Sequence, residues 1–232
     1  MQSVGVRMER FAKITSAKEL MGRIDEYGLL PLGRCAVPGF SLAEMTDEGD
    51  WHSGDPESDP WQWRAVAVES GAFAYGKLLE KKSAFVSREW FGHLLNFRRE
   101  GRDFDLKYLE GQCKAREKKL MDCFPGEERL PAFRLKELAG FSKDGEKGFE
   151  GAVTSLQMQT YLVVCGYARK VSKKGEEYGW PVSVYLRPEA LFSQSYVDRA
   201  YQCPFEASRE KLEQWLVKVT GGEAQAVKLL LK

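Results

Sequence analysis

Four cations, Arg169, Lys170, Lys173 and Lys174, fall within six residues that contain no acid. Such a density suits a phosphate backbone, because each phosphate neutralised releases counterions and adds salt-dependent, sequence-independent affinity. The same residues also read as a solvated hairpin tip, since lysine-rich turns keep strand edges from pairing and Glu176 and Glu177 offset part of the charge. Shortly upstream, residues 154–160 hold Ser155, Gln157 and Gln159. Amides and hydroxyls hydrogen-bond base edges as well as phosphates, so this run fits a recognition helix or, equally, a polar helix end turned to water. Arg98 and Arg99, with Arg102 beyond them, flank Phe97 and have the chemistry to grip a phosphate bidentately; a charged helix end before Gly101 explains them as well. Lys143 and Lys147, in the polar turn 142–148, complete the set of expected DNA contacts.

Other chemistry finds less support. Residues 41–62 carry seven acids and no Lys or Arg, an acidic, turn-rich loop. Its Asp55, Glu57 and Asp59 alternate like a calcium loop, but that loop needs Gly at the sixth position and Glu at the twelfth, where Pro60 and Val66 stand. The better expectation is a carboxylate that caps the next helix and pairs with Arg64. Five cysteines at wide, irregular spacing, with only two histidines, suit reduced thiols and argue against a structural zinc site. The nucleophile-elbow, dinucleotide and Walker motifs are absent, so no metal or other cofactor is expected and no motif forces an enzyme. His93 lies among apolar residues and is expected to be half-buried and satisfied.

The elements that must position these residues emerge from periodicity. A chain of 232 residues, 43% hydrophobic and balanced at 35 basic against 34 acidic residues, builds real cores and offers no chain-wide charge to a partner. Residues 77–119 are locally basic, twelve against seven, and could face the acidic loop. A helix is predicted over residues 16–30, capped by Ser16 and ended by Gly28. Residues 61–73 fit helix or strand, and residues 106–124 read as one helix before Pro125. From residue 130 the pattern is a short helix closed by Gly140, the turn 142–148, a second helix with Phe149, Ala152, Val153 and Leu156 on one side, then strands at 161–171 and 182–186. Helix, turn, helix and a basic hairpin is the order of a winged helix. Residues 206–231 read as a helical tail broken at Gly221. No apolar run reaches membrane-spanning length, and a cytoplasmic location is expected.

Several of these segments also carry a resemblance. Gly54-Asp55-Pro56-Glu57, Asp59-Pro60-Trp61-Gln62-Trp63-Arg64, Glu89-Trp90-Phe91, Asn96-Phe97-Arg98-Arg99, residues 145–151, residues 156–162 and Tyr178-Gly179-Trp180 look like the bacterial AlkZ-related winged-helix proteins. That group is similar, more distantly, to the AlkZ and YcaQ type DNA glycosylases, tandem winged helices that excise alkylated or crosslinked bases. The resemblance implies that Gln157 and Gln159 match the glycosylases' catalytic Gln-x-Gln or Gln-x-Asp motif, which positions the hydrolytic water.

The expectation is therefore an α+β protein with three parts. Residues 1–126 form a mostly helical N-terminal region, with a second, degenerate winged helix as an open alternative. Residues 127–190 form a winged helix-turn-helix domain, and residues 191–232 a helical tail. Three functions stay open: a DNA-binding protein that recognises or excises damaged bases, a winged-helix transcription regulator without catalysis, and a protein-interaction module that has lost DNA binding.

Overall fold

The computed structural model describes residues 11–142, 144–222 and 224–231. Helix α1 (Ala17–Tyr27) starts where the Ser16 side chain accepts the Glu19 N–H, and it stops at Gly28, whose φ of 76° admits no ordinary side chain. Strand β1 (Leu29–Pro31), the short helix α2 (Leu42–Met45) and a 3-10 turn (Glu48–Asp50) follow, so the acidic stretch contains helical turns as well as loop.

Helix α3 (Pro60–Glu69) opens with proline in its first turn and with Asp59 as cap, which resolves the ambiguity of residues 61–73 in favour of helix up to Glu69. The Asp59 carboxylate accepts three backbone N–H groups, from His52, Gly54 and Trp61. One buried carboxylate thus ties the loop to the helix, and Asp59→Ala is expected to cost about 2 kcal/mol, read as a lower urea midpoint. The expected ion pair to Arg64 does not form: that guanidinium lies over the Trp61 ring at 3.6 Å and the Tyr167 ring at 4.2 Å. Cation–π contact replaces the carboxylate because the site is buried among aromatics.

Strands β2 (Phe73–Leu79) and β3 (Lys82–Ser87) form a tight hairpin, with Glu80 and Lys81 both at positive φ in its turn. With β1 they make a three-stranded antiparallel sheet in the order β1-β3-β2, set within an N-terminal region whose regular structure is otherwise helical. Helices α4 (Arg88–Arg99), α5 (Phe104–Leu109) and α6 (Ala115–Met121) come next. The single helix expected over residues 106–124 is two, because Gly111 sits at φ 75° and Asp103 caps α5 separately.

The order then repeats: β4 (Leu130–Pro131), α7 (Ala132–Leu138), α8 (Phe149–Met158), β5 (Val163–Val171) and β6 (Glu177–Leu186), with a second antiparallel sheet ordered β4-β6-β5. In both halves a helix, a very short strand, two helices and a hairpin follow one another, and in both sheets the last strand is central. Phe149, Ala152, Val153 and Leu156 are buried on α8, as their spacing predicts.

The halves pack reciprocally. Helix α8 lies against β2, α3 lies against β5, and β2 and β5 meet between them. Helices α9 (Pro188–Phe192), α10 (Gln194–Ala200), α11 (Phe205–Thr220) and α12 (Ala224–Leu230) then return to the first half. Trp90 of α4 stacks on Trp215 of α11 with ring centroids 4.8 Å apart, and Asn96 donates to the Cys203 carbonyl and the Ser208 hydroxyl. His93 shares the same seam, its Nδ1 3.2 Å from Ser208 Oγ, half-buried and satisfied as expected. No helix among the described residues is long and apolar enough to cross a membrane.

Candidate nucleic-acid interface

The β5–β6 hairpin projects beyond the body of the protein, since its residues from Arg169 to Pro181 are exposed except Ser172. Ser172 builds the tip: its N–H donates to the Glu176 carbonyl, its carbonyl accepts the Gly175 N–H, and its hydroxyl accepts the Lys174 and Glu176 N–H groups. Gly175, at φ 83°, supplies the left-handed residue the turn needs. Arg169, Lys170, Lys173 and Lys174 all stand on this exposed part, and none forms an ion pair with a described residue. Lys170 Nζ lies 5.8 Å from the centre of the Phe133 ring, so the cation leans on α7 without being neutralised.

A second cationic region is a groove of about 520 Å³ between the ends of α4 and α8 and the helices α11 and α12. Arg98, Ser155 and Gln159 line it, joined by Arg209, Lys228 and Glu213. Arg98 is held by two carbonyls, donating to Met158 O at 2.7 Å and Leu231 O at 3.3 Å. Burial lowers its guanidinium to about 9, which still leaves it charged at neutral pH. Glu213 is engaged by Arg209 at 2.9 Å. Gln159 donates to Ser155 Oγ and accepts from the Cys113 thiol, leaving its amide at the groove wall.

The family model described as AlkZ related matches residues 14–230, nearly the whole chain. The chain belongs to the AlkZ-related family. No curated protein and no solved structure matches it. Within this AlkZ-related protein the residues singled out in the sequence divide into three groups. The hairpin cations form one cluster, and Arg98, Ser155 and Gln159 form another at the opposite end of β5, whose nine residues span about 30 Å.

The third group is spent on the fold. Arg99 is 0% exposed, bonded to Glu189 at 2.6 Å, to Tyr201 Oη at 3.1 Å and to the Thr160 carbonyl at 2.6 Å, with Tyr161 under its guanidinium. Gln157 is 3% exposed: its Oε1 accepts the Lys77 N–H at 2.9 Å, and its Nε2 donates to the Val153 carbonyl. Arg99 thus bridges α4 to α9 and α10, and Gln157 joins the two halves. Lys147 is exposed and donates to the Ser142 carbonyl within its own turn; Lys143 lies outside the described residues.

Burial of α8 against β2 also limits what the helix can do. Its exposed surface is Glu150 and Gly151, with Thr154, Ser155 and Met158 half-exposed, and Thr154 is already bonded to Lys77 Nζ at 3.2 Å. Arg209 and Lys228 escape sequence inspection because the tail reads as an apolar helical stripe. The one hint was the polar spacing of Arg209 and Glu213, four residues apart on a helix face.

Proposed function

We propose that this AlkZ-related protein binds DNA through the projecting β5–β6 hairpin, as one of two winged-helix units whose hairpins differ in role. Membership of the family points to DNA repair as the setting. The repeated element order and the matching sheet orders support the tandem winged-helix reading. The observation that carries DNA binding is the hairpin: four exposed cations, without carboxylate partners among the described residues, on a strand pair that stands clear of the body. In this reading phosphates are held by the wing, and α8 acts as a packed strut instead of lying in the major groove.

Binding of a fluorescent duplex across a salt series tests this. If the wing holds about four phosphates, changing Arg169, Lys170, Lys173 and Lys174 together to Ala makes the slope of log K against log salt shallower by about 3.6. Equal slopes for the two proteins, or no binding of either at low salt, overturn the reading.

A second reading rests on Gln159 sharing its groove with Glu213, the kind of amide and carboxylate pair that can position a water for glycosidic hydrolysis. Base release from an alkylated duplex by wild type and by Gln159→Ala tests it. Release that disappears in the variant places chemistry in the groove, and equal release removes Gln159 from it.

A further inference from the structure

Among the described residues, Trp180 is the most exposed large hydrophobic side chain, at 90%. A tryptophan left in water forgoes roughly 2–3 kcal/mol of burial, which a ligand laid over the ring would recover. Its setting is built. Lys170 pairs with Tyr178 and Ala168 with Val182, so Arg169 alone stands opposite the three residues 179–181. This bulge has Gly179 at φ 78° and ends in Pro181, which has no N–H to return to the ladder. A bulge re-aims the side chain it carries, and here the indole is turned into solvent. Tyr178 and Val171, both more than half exposed, lie beside it on the same hairpin.

By strand register Arg169 stands opposite the bulge and Lys170 opposite Tyr178, with Lys173 and Lys174 in the turn beyond. Cations alternating with exposed aromatics favour a polyanion that also offers flat π-faces over an apolar protein surface, and nucleic acid meets both conditions. Paired bases inside a duplex keep their faces covered by their neighbours, so an indole has a partner only where a base is unstacked. We propose that Trp180 is a stacking platform for an unpaired base, held in place while Arg169, Lys170, Lys173 and Lys174 take the adjoining phosphates. This rests on the DNA-binding reading above and adds to it a preference for single-stranded or locally opened DNA.

The test compares wild type, Trp180→Ala and Trp180→Phe on an oligothymidylate of about 12 nucleotides and on a duplex of the same length, at fixed salt. Trp180→Ala is expected to weaken single-strand binding about 10-fold and duplex binding less than about 2-fold, with Trp180→Phe between the two on the single strand. The oligothymidylate should quench wild-type tryptophan fluorescence more than that of Trp180→Phe. A side chain this exposed contributes little to folding, and an unchanged Tm confirms that the variants are intact. Equal single-strand affinity for wild type and Trp180→Ala overturns the proposal while leaving the wing reading standing. Failure of wild type to bind either DNA overturns both.

Discussion

Arg99→Ala is expected to lower the unfolding free energy by about 3–5 kcal/mol, the largest effect of any single substitution considered for this protein. The guanidinium is fully buried and both terminal nitrogens are engaged: Nη1 donates to Glu189 and the Tyr201 hydroxyl, Nη2 to the Thr160 carbonyl, and the Tyr161 ring lies 4.4 Å below, while Nε is left without a partner. Removing it strands a carboxylate whose side chain is only 12% exposed, supported then by Arg187 alone at 3.4 Å. It also opens a cavity where α4 meets α9 and α10. The double variant Arg99→Met with Glu189→Met is expected to recover much of the loss, because deleting both charges removes the uncompensated one.

The same pair imposes a pH dependence. Burial by itself would raise the Glu189 carboxyl, but Arg99, with Arg187 behind it, holds it below its ordinary value. A depressed carboxyl contributes stability that is complete above the unfolded pKa of about 4.3 and is lost as pH falls through the folded value. Urea midpoints measured from neutral pH downward should therefore fall more steeply below about pH 5 in wild type than in Glu189→Gln. Parallel profiles would show that Glu189 is not held ionised by Arg99.

Gln157→Ala is the second large effect, expected to cost about 2–3 kcal/mol. The amide oxygen accepts the Lys77 N–H across the seam between the halves, and Gly76 permits the approach: a Cβ there would lie 2.7 Å from Gln157 Oε1. Truncation leaves a backbone donor without its partner and a void between α8 and β2. Gly76→Ala, which keeps the glutamine but crowds its oxygen, should destabilise in the same direction by about 1–3 kcal/mol. Any loss of DNA binding or base release in Gln157→Ala is expected to track the folded fraction, recovering at temperatures well below its Tm. Persistent loss in fully folded protein would give Gln157 a role beyond the seam.

The contrast between Gln157 and Gln159 shows where local information stops. Two residues apart on one helix end they have the same chemistry, and spacing alone offers both to a ligand. Helical geometry turns them about 200° apart, so one points into β2 and the other into the groove. Arg98 and Arg99 divide in the same way, one to the groove wall and one to the core.

Legible in the chain were features whose causes are local. Ser16 and Asp59 cap helices through their own neighbours, Gly28 ends α1, the apolar face of α8 follows a 3.6-residue period, and the β5–β6 hairpin follows from β-branched and aromatic runs around a polar glycine turn. Charge density at the hairpin was equally plain. What had to wait for the folded chain is what depends on partners far away in sequence: the reciprocal packing of α3 on β5 and α8 on β2, the return of α11 onto α4, and the placing of Arg209 and Lys228 beside Arg98. A side chain's type is set by its codon, but whether it is spent on the core or left to a ligand is set by which surfaces close over it. That closure is a sum over long-range contacts that no window of neighbouring residues contains.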